Sequence, residues 1–156
     1  MGKRRILFII FLFINNILLF SLDSREILIV YQHSRRISHN TISIKMDSVS
    51  KEITVETYQL ACNRIEKQYN NTISIDEKYF DSIYERLMKI KYTDIIDKAI
   101  DGLDGYSIQI KIGSSLNYLT VNIWSPNYDF EKRGTNELLT VLIEIFTKIG
   151  LENRMN

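Results

Sequence analysis

Cysteine is almost missing from this 156-residue chain. Cys62 stands alone, so no internal disulfide is open to the fold, and the residue is read as a small buried apolar group with no base beside it in sequence. Proline occurs once, at Pro126, and no repeat or low-complexity tract divides the chain, so a single domain is expected. Alanine appears only at Ala61 and Ala99, which leaves helices to be held by packing more than by propensity and favours β-rich segments. The two histidines, His33 and His39, flank Arg35 and Arg36. Their spacing fits neither HExxH nor a zinc finger, and a solvated basic loop is the expectation. Equally missing are a glycine-rich phosphate loop, a serine in a nucleophile elbow and a cysteine–histidine pair. Readings as a protease, a nucleotide-binding protein or a cofactor-dependent enzyme therefore have no support in the sequence, and no cofactor or metal is expected.

The most specific signal present is at the N-terminus. Lys3, Arg4 and Arg5 precede an apolar run from Ile6 to Phe20, and Ser21 follows. Charge, apolar stretch and small residue in this order form a secretory signal peptide, with residues 1–21 removed and 22–156 left as one α+β domain; cleavage after Ser24 is the alternative. Asn15 and Asn16 interrupt the run, which is short for a membrane span. If the leader is retained it becomes an anchor, the one case in which a membrane contact is expected. In both cases the domain works outside the cytoplasm, secreted or periplasmic. Loss of residues 1–21 removes three cations and no acid, moving the formal charge from +1 to −2. A nucleic-acid partner does not suit that balance.

Apolar alternation defines the next segments. Glu26–Gln32, TISIKMD from Thr41 and KEITVETY from Lys51 have strand character, and DSVS supplies the turn between the last two. A meander is the simplest connection. Residues 59–73 carry no clear period and fit a frayed helix or a loop at Asn70-Asn71. Ser74 with Glu77 predicts a capping box. Beyond it Phe80, Ile83, Leu87 and Ile90 form a helical stripe, and a second short helix is expected between Thr93 and Gly102. Leu138, Leu142, Ile145 and Ile149 predict a last helix ending at Gly150.

Between these helices lies a hairpin. Pairing Tyr106 with Ile123, Ile108 with Val121 and Ile110 with Leu119 places the apolar residues on one face and makes Gly113 to Leu116 the turn. The register sets Trp124 over Gly105 and Asp104 level with Ser125. Tyr118, Thr120, Asn122, Trp124, Gln109 and Lys111 fall on the other face, which is solvated or binding. The expected architecture is a five-stranded, mostly antiparallel sheet with helices on one face, in the order β-β-β-α-α-β-β-α.

The ends of the hairpin gather Asp101, Asp104, Trp124, Tyr128, Asp129, Glu131 and Arg133 near the start of the last helix. This rim is the candidate binding surface. DKAIDGLDG lacks the spaced oxygens of a calcium loop, and turn chemistry accounts for its aspartates. Arg133 is expected in a surface ion pair with Asp104, Asp129 or Glu131, with anion binding at the helix start as the alternative. The leading functional expectation is a non-enzymatic module that binds another protein, either an inhibitor or an immunity-type partner of a toxin. The alternative is an extracytoplasmic hydrolase using the rim carboxylates on a sugar or peptide.

At LDGYSIQIKI, NIWSPNY and the following Arg133-Gly134 before an amphipathic helix, the C-terminal third resembles small exported bacterial proteins of uncharacterised function. In these a Leu-Asp-Gly turn opens a hairpin, and a Ser-Pro turn and an arginine lead to a final helix. The resemblance implies an α+β fold and a secreted or periplasmic location, and brings no active residues with it.

Overall fold

The computed structural model describes residues 24–33, 41–61, 64–96, 98, 105–114 and 117–154. The leader, Cys62, His39, Asp101 and Asp104 lie outside them. Isoleucine-rich alternation produces six strands: β1 Arg25–His33, β2 Thr41–Asp47, β3 Glu52–Ala61, β4 Arg64–Ser74, β5 Tyr106–Ser114 and β6 Tyr118–Trp124. They form one antiparallel sheet in the order β4-β3-β2-β1-β5-β6. The helices are α1 Glu77–Lys89, α2 Tyr92–Ile96, the single turn α3 Phe130–Arg133 and α4 Asn136–Lys148, followed by a 3₁₀ turn, Glu152–Arg154. The class is α+β, as the patterning requires.

Opposed residues in antiparallel strands share a face. Ile27, Ile29 and Tyr31 therefore join Ile42, Ile44, Met46, Ile53, Val55, Ile108, Ile110, Ile112, Val121 and Ile123 in one buried layer. Phe80, Ile83 and Leu87 of α1 and Leu138, Val141, Leu142, Ile145 and Phe146 of α4 close over it. Tyr31 meets Phe146 with ring centroids 5.8 Å apart. Arg86 of α1 bridges Glu137 and Glu144 of α4 at 2.8 and 2.6 Å, and Arg25 of β1 holds Asp81 of α1 at 2.7 Å. The opposite face has no layer over it among the described residues.

Several expectations are corrected. The sheet has six strands instead of five, because residues 64–74 pair along β3 from Glu52–Ser74 to Ala61–Arg64, with an irregularity between Thr57 and Tyr58. A polar segment without periodicity becomes a strand where a partner offers a free ladder. Ser74 closes that strand, and the cap of α1 is Asp76, whose carboxylate accepts the Tyr79 N–H at 2.7 Å. The second helix starts at Tyr92, before Thr93. His33 is the last residue of β1, opposite Tyr106, and not part of a loop.

The hairpin register is shifted by two residues: Ile108 pairs with Ile123, Ile110 with Val121 and Ile112 with Leu119. A two-residue shift keeps every side chain on its face, so alternation does not distinguish the two registers. A close backbone approach at Gly113 distinguishes them. Gly113 stays in β5, where a Cβ would stand 2.1 Å from the Asn117 carbonyl oxygen, and the Ser114 N–H donates to that oxygen at 2.7 Å.

Candidate binding surface

Three departures from regular structure shape the chain after β6. Pro126 cannot donate to a ladder, while Ser125 and Asp129 adopt left-handed φ values of 34° and 51°. For residues with a Cβ, each such conformation costs on the order of 1 kcal/mol and persists only where neighbours enforce it. Here the neighbours are named. The Ser125 N–H donates to the Tyr106 carbonyl at 2.6 Å, the Tyr128 N–H to the Ser125 carbonyl at 2.9 Å, and Thr135 Oγ1 to the Pro126 carbonyl at 2.6 Å.

Arg133 completes the brace. Its guanidinium donates from Nη1 to the Ser125 and Tyr128 carbonyls at 2.8 and 3.3 Å, and from Nη2 to the Trp124 carbonyl at 3.1 Å. The side chain is 3% exposed. The expected surface ion pair is thus replaced by a buried clamp on main-chain oxygens. The physical reason is position: the short helix α3 ends at Gly134, φ 70°, and turns Arg133 inward beneath the loop that precedes it. Planar guanidinium donors suit several carbonyls at once.

The brace leaves a fixed tip. Tyr128 is 57% and Phe130 41% exposed, and the Tyr128 ring stands 6.2 Å from Trp124. Trp124 in turn lies against Gly105, where a Cβ would be 3.1 Å from Cζ2 of the indole. The expected aromatic cover of this glycine is present, although Trp124 now pairs with Ser107. Asp129 and Glu131 are exposed at the same tip, with Lys132 Nζ 3.2 Å from Asp129. Among the described members of the rim, Tyr128, Asp129 and Glu131 are exposed together, Trp124 is half-buried beside Tyr128, and Arg133 supports them from below.

A second feature occupies the far end of the hairpin. Ser24, Glu26, Asp47, Lys111, Gly113, Ser114 and Tyr118 line a cleft of about 100 Å³. It exists because Gly113 places no side chain between Glu26 on β1 and Tyr118 on β6. Lys111 Nζ sits 4.0 Å over the Tyr118 ring, and Lys45 holds Glu26 at 2.9 Å, so the charges already satisfy one another. Ligand pockets span about 300–1,000 Å³. The cleft is therefore a weaker candidate than the aromatic tip.

Farther along the open face, Lys67 and Tyr58 both bond the Glu56 carboxylate. Lys67, then Tyr58, hold that carboxyl below its usual range, and Glu56 raises the Tyr58 hydroxyl in return. Among the described residues no three of His, Cys, Asp and Glu converge as metal ligands. No helix among them is long and apolar enough to cross a membrane.

Sequence reasoning missed Phe130, Thr135 and the cleft. Phe130 is an apolar residue at the start of an amphipathic segment, where burial is the default expectation, and its exposure follows from the left-handed turn at Asp129. The cleft depends on β1 pairing with β5, a long-range register that no local pattern encodes. No protein-family model matches the chain, and no match to it was found among curated proteins.

Proposed function

We propose that the chain is a non-enzymatic protein-binding module acting outside the cytoplasm, an inhibitor or an immunity-type partner of a toxin, which meets its partner through the Trp124–Phe130 tip. The observation that supports this reading is the bracing of an exposed aromatic loop. Arg133 and Thr135 hold two left-handed residues in place while Tyr128 and Phe130 remain in solvent. Large side chains fixed in their binding conformation lose little entropy on association, and aromatic anchors dominate many protein interfaces. Asp129 and Glu131 beside them favour a partner with a basic rim around an apolar pocket. The charge of −2 for residues 22–156 disfavours nucleic acid.

Affinity capture from the extracytoplasmic fraction of the source cells tests the proposal. The wild-type chain and a Met88→Ala control, altered at an exposed residue of α1, are expected to retain the same partner, and Tyr128→Ala and Phe130→Ala to lose it at least about tenfold. Capture of nothing, or equal capture by all four proteins, refutes it. The mass of the mature chain tests location separately: a start at Leu22 or Arg25 is expected, and an intact Met1 would make the protein a membrane-anchored one.

A further inference from the structure

We propose that two copies of this chain associate through β6, antiparallel about a two-fold axis at Val121, so that the sheet continues from one copy into the other. β6 is an edge strand. Natural edges are blunted by charge, proline or bulges, yet Tyr118–Trp124 contains none of these, and its ladder with β5 is regular. The other edge, β4, is different: its pairing with β3 is irregular and it carries Arg64, Glu66 and Lys67 in sequence.

The hydrogen-bonding direction of β6 follows from two bonds. Ser125 N–H donates to Tyr106, and Ser114 N–H donates to Asn117. Bonded and non-bonded pairs alternate along an antiparallel ladder, so Leu119, Val121 and Ile123 exchange their bonds with β5. Tyr118, Thr120, Asn122 and Trp124 then direct their N–H and C=O groups away from it, toward the open edge.

Centred on Val121, an antiparallel copy sets Tyr118 opposite Trp124 of the second copy and Thr120 opposite Asn122. The outward donors and acceptors of Thr120 and Asn122 all find partners, and the Trp124 N–H meets the Tyr118 carbonyl, while the Trp124 carbonyl is already held by Arg133; faces are preserved. Aromatic meets aromatic and hydroxyl meets amide on the open face. On the helix-covered face Leu119, left 40% exposed in one copy, meets Ile123. No Asp, Glu, Lys, Arg or His occurs between Asn117 and Pro126, so no like charges oppose each other at the axis. Self-complementarity of sequence and bonding points to a second copy over an unrelated strand.

Sedimentation velocity of the purified mature chain, up to about 0.1 mM, is the test. A concentration-dependent dimer is expected. Thr120→Lys/Asn122→Lys is expected to be monomeric with an unchanged circular dichroism spectrum, and mixing it with Thr120→Glu/Asn122→Glu is expected to restore a mixed dimer. In a Cys62→Ser background Val121→Cys should oxidise to a covalent dimer, since residues facing each other in a non-bonded pair have Cα atoms about 4.5 Å apart, within disulfide reach. A wild-type monomer at the highest concentration overturns the proposal, including the case in which β6 takes up another protein's strand. So does a dimer that ignores the lysine pair and fails to cross-link through Val121→Cys, a readout that does not depend on the lysine variants folding. Tyr128→Ala and Phe130→Ala leave β6 intact and are expected to dimerise normally, which separates this result from the fate of the aromatic tip.

Discussion

Arg133 and Gly105 act on the same few atoms from opposite sides. At Gly105, with φ at +144°, an added methyl carbon would stand 2.3 Å from Ser125 Oγ, so the strand entrance closes on Trp124 and Ser125 only with a hydrogen in that place. Arg133 then takes the carbonyls of the residues so positioned. Arg133→Met removes the donors and keeps much of the volume. It leaves the Ser125 and Trp124 oxygens without these partners, and a loss of about 2–4 kcal/mol is expected, from hydrogen bonds to a charged group at about 1.5–3 kcal/mol each with partial relaxation. Urea unfolding measures this, and a change below about 0.5 kcal/mol would show that the clamp does not hold the loop. In sequence Arg133 is one of several charges in DFEKRG. Nothing local separates a buried cation from a solvated one, because the distinction depends on carbonyls supplied from up to nine positions earlier.

Among the elements, helices α1 and α4 were legible because a packed stripe repeats every three or four residues. The end of α4 was legible too: Gly150, φ 72°, donates to the Thr147 carbonyl, and the Leu151 N–H reaches Phe146 at 2.8 Å, the double bond of a glycine-terminated helix. The start of α1 was misassigned because two capping residues compete within three positions. Ser74 is committed to β4 opposite Glu52, which leaves Asp76 to accept the Tyr79 N–H. Asp76→Ala is expected to cost about 1 kcal/mol and Ser74→Ala much less; equal losses in thermal unfolding would favour the Ser74 capping box. β4 itself was illegible for a different reason. Its polar residues have no face of their own to bury, and the strand exists because β3 presents a complete ladder to it. The hairpin was recognised with its faces right and its register wrong by two, since the deciding contact is a backbone approach at Gly113 that hydrophobicity does not record.

Across the molecule, phenol hydroxyls are buried on two helices and a strand. Tyr79 on α1, Tyr92 on α2 and Tyr106 on β5 all have hydroxyls pushed above the ordinary 10.0, each chiefly by burial, with Tyr79 reaching about 12. Neither Tyr79 nor Tyr92 has a hydrogen-bond partner for its hydroxyl among the described residues. Because the folded values lie above the unfolded one, these groups add stability that is complete below pH 10 and lost as pH rises through the folded values. Urea midpoints are expected to fall from about pH 10 upward, and Tyr92→Phe is expected to flatten the decline. An unchanged slope in that variant would show that Tyr92 ionises as freely when folded as when unfolded. Of the nine tyrosines, the hairpin alternation marked Tyr106 for the apolar face, while nothing local marked Tyr79 or Tyr92 for burial.

The strand order has a consequence for the chain as it is made. β1 sits in the middle of the sheet, between β2 and β5, and the partner on one of its sides ends at Ser114, while β1 itself ends at His33. At a synthesis rate of about 5–20 residues per second, this central strand waits roughly 4–16 s with one flank uncovered. During that interval the border of β1 that receives β5 in the finished sheet is open, and a chaperone that shields nascent edges would find its target there.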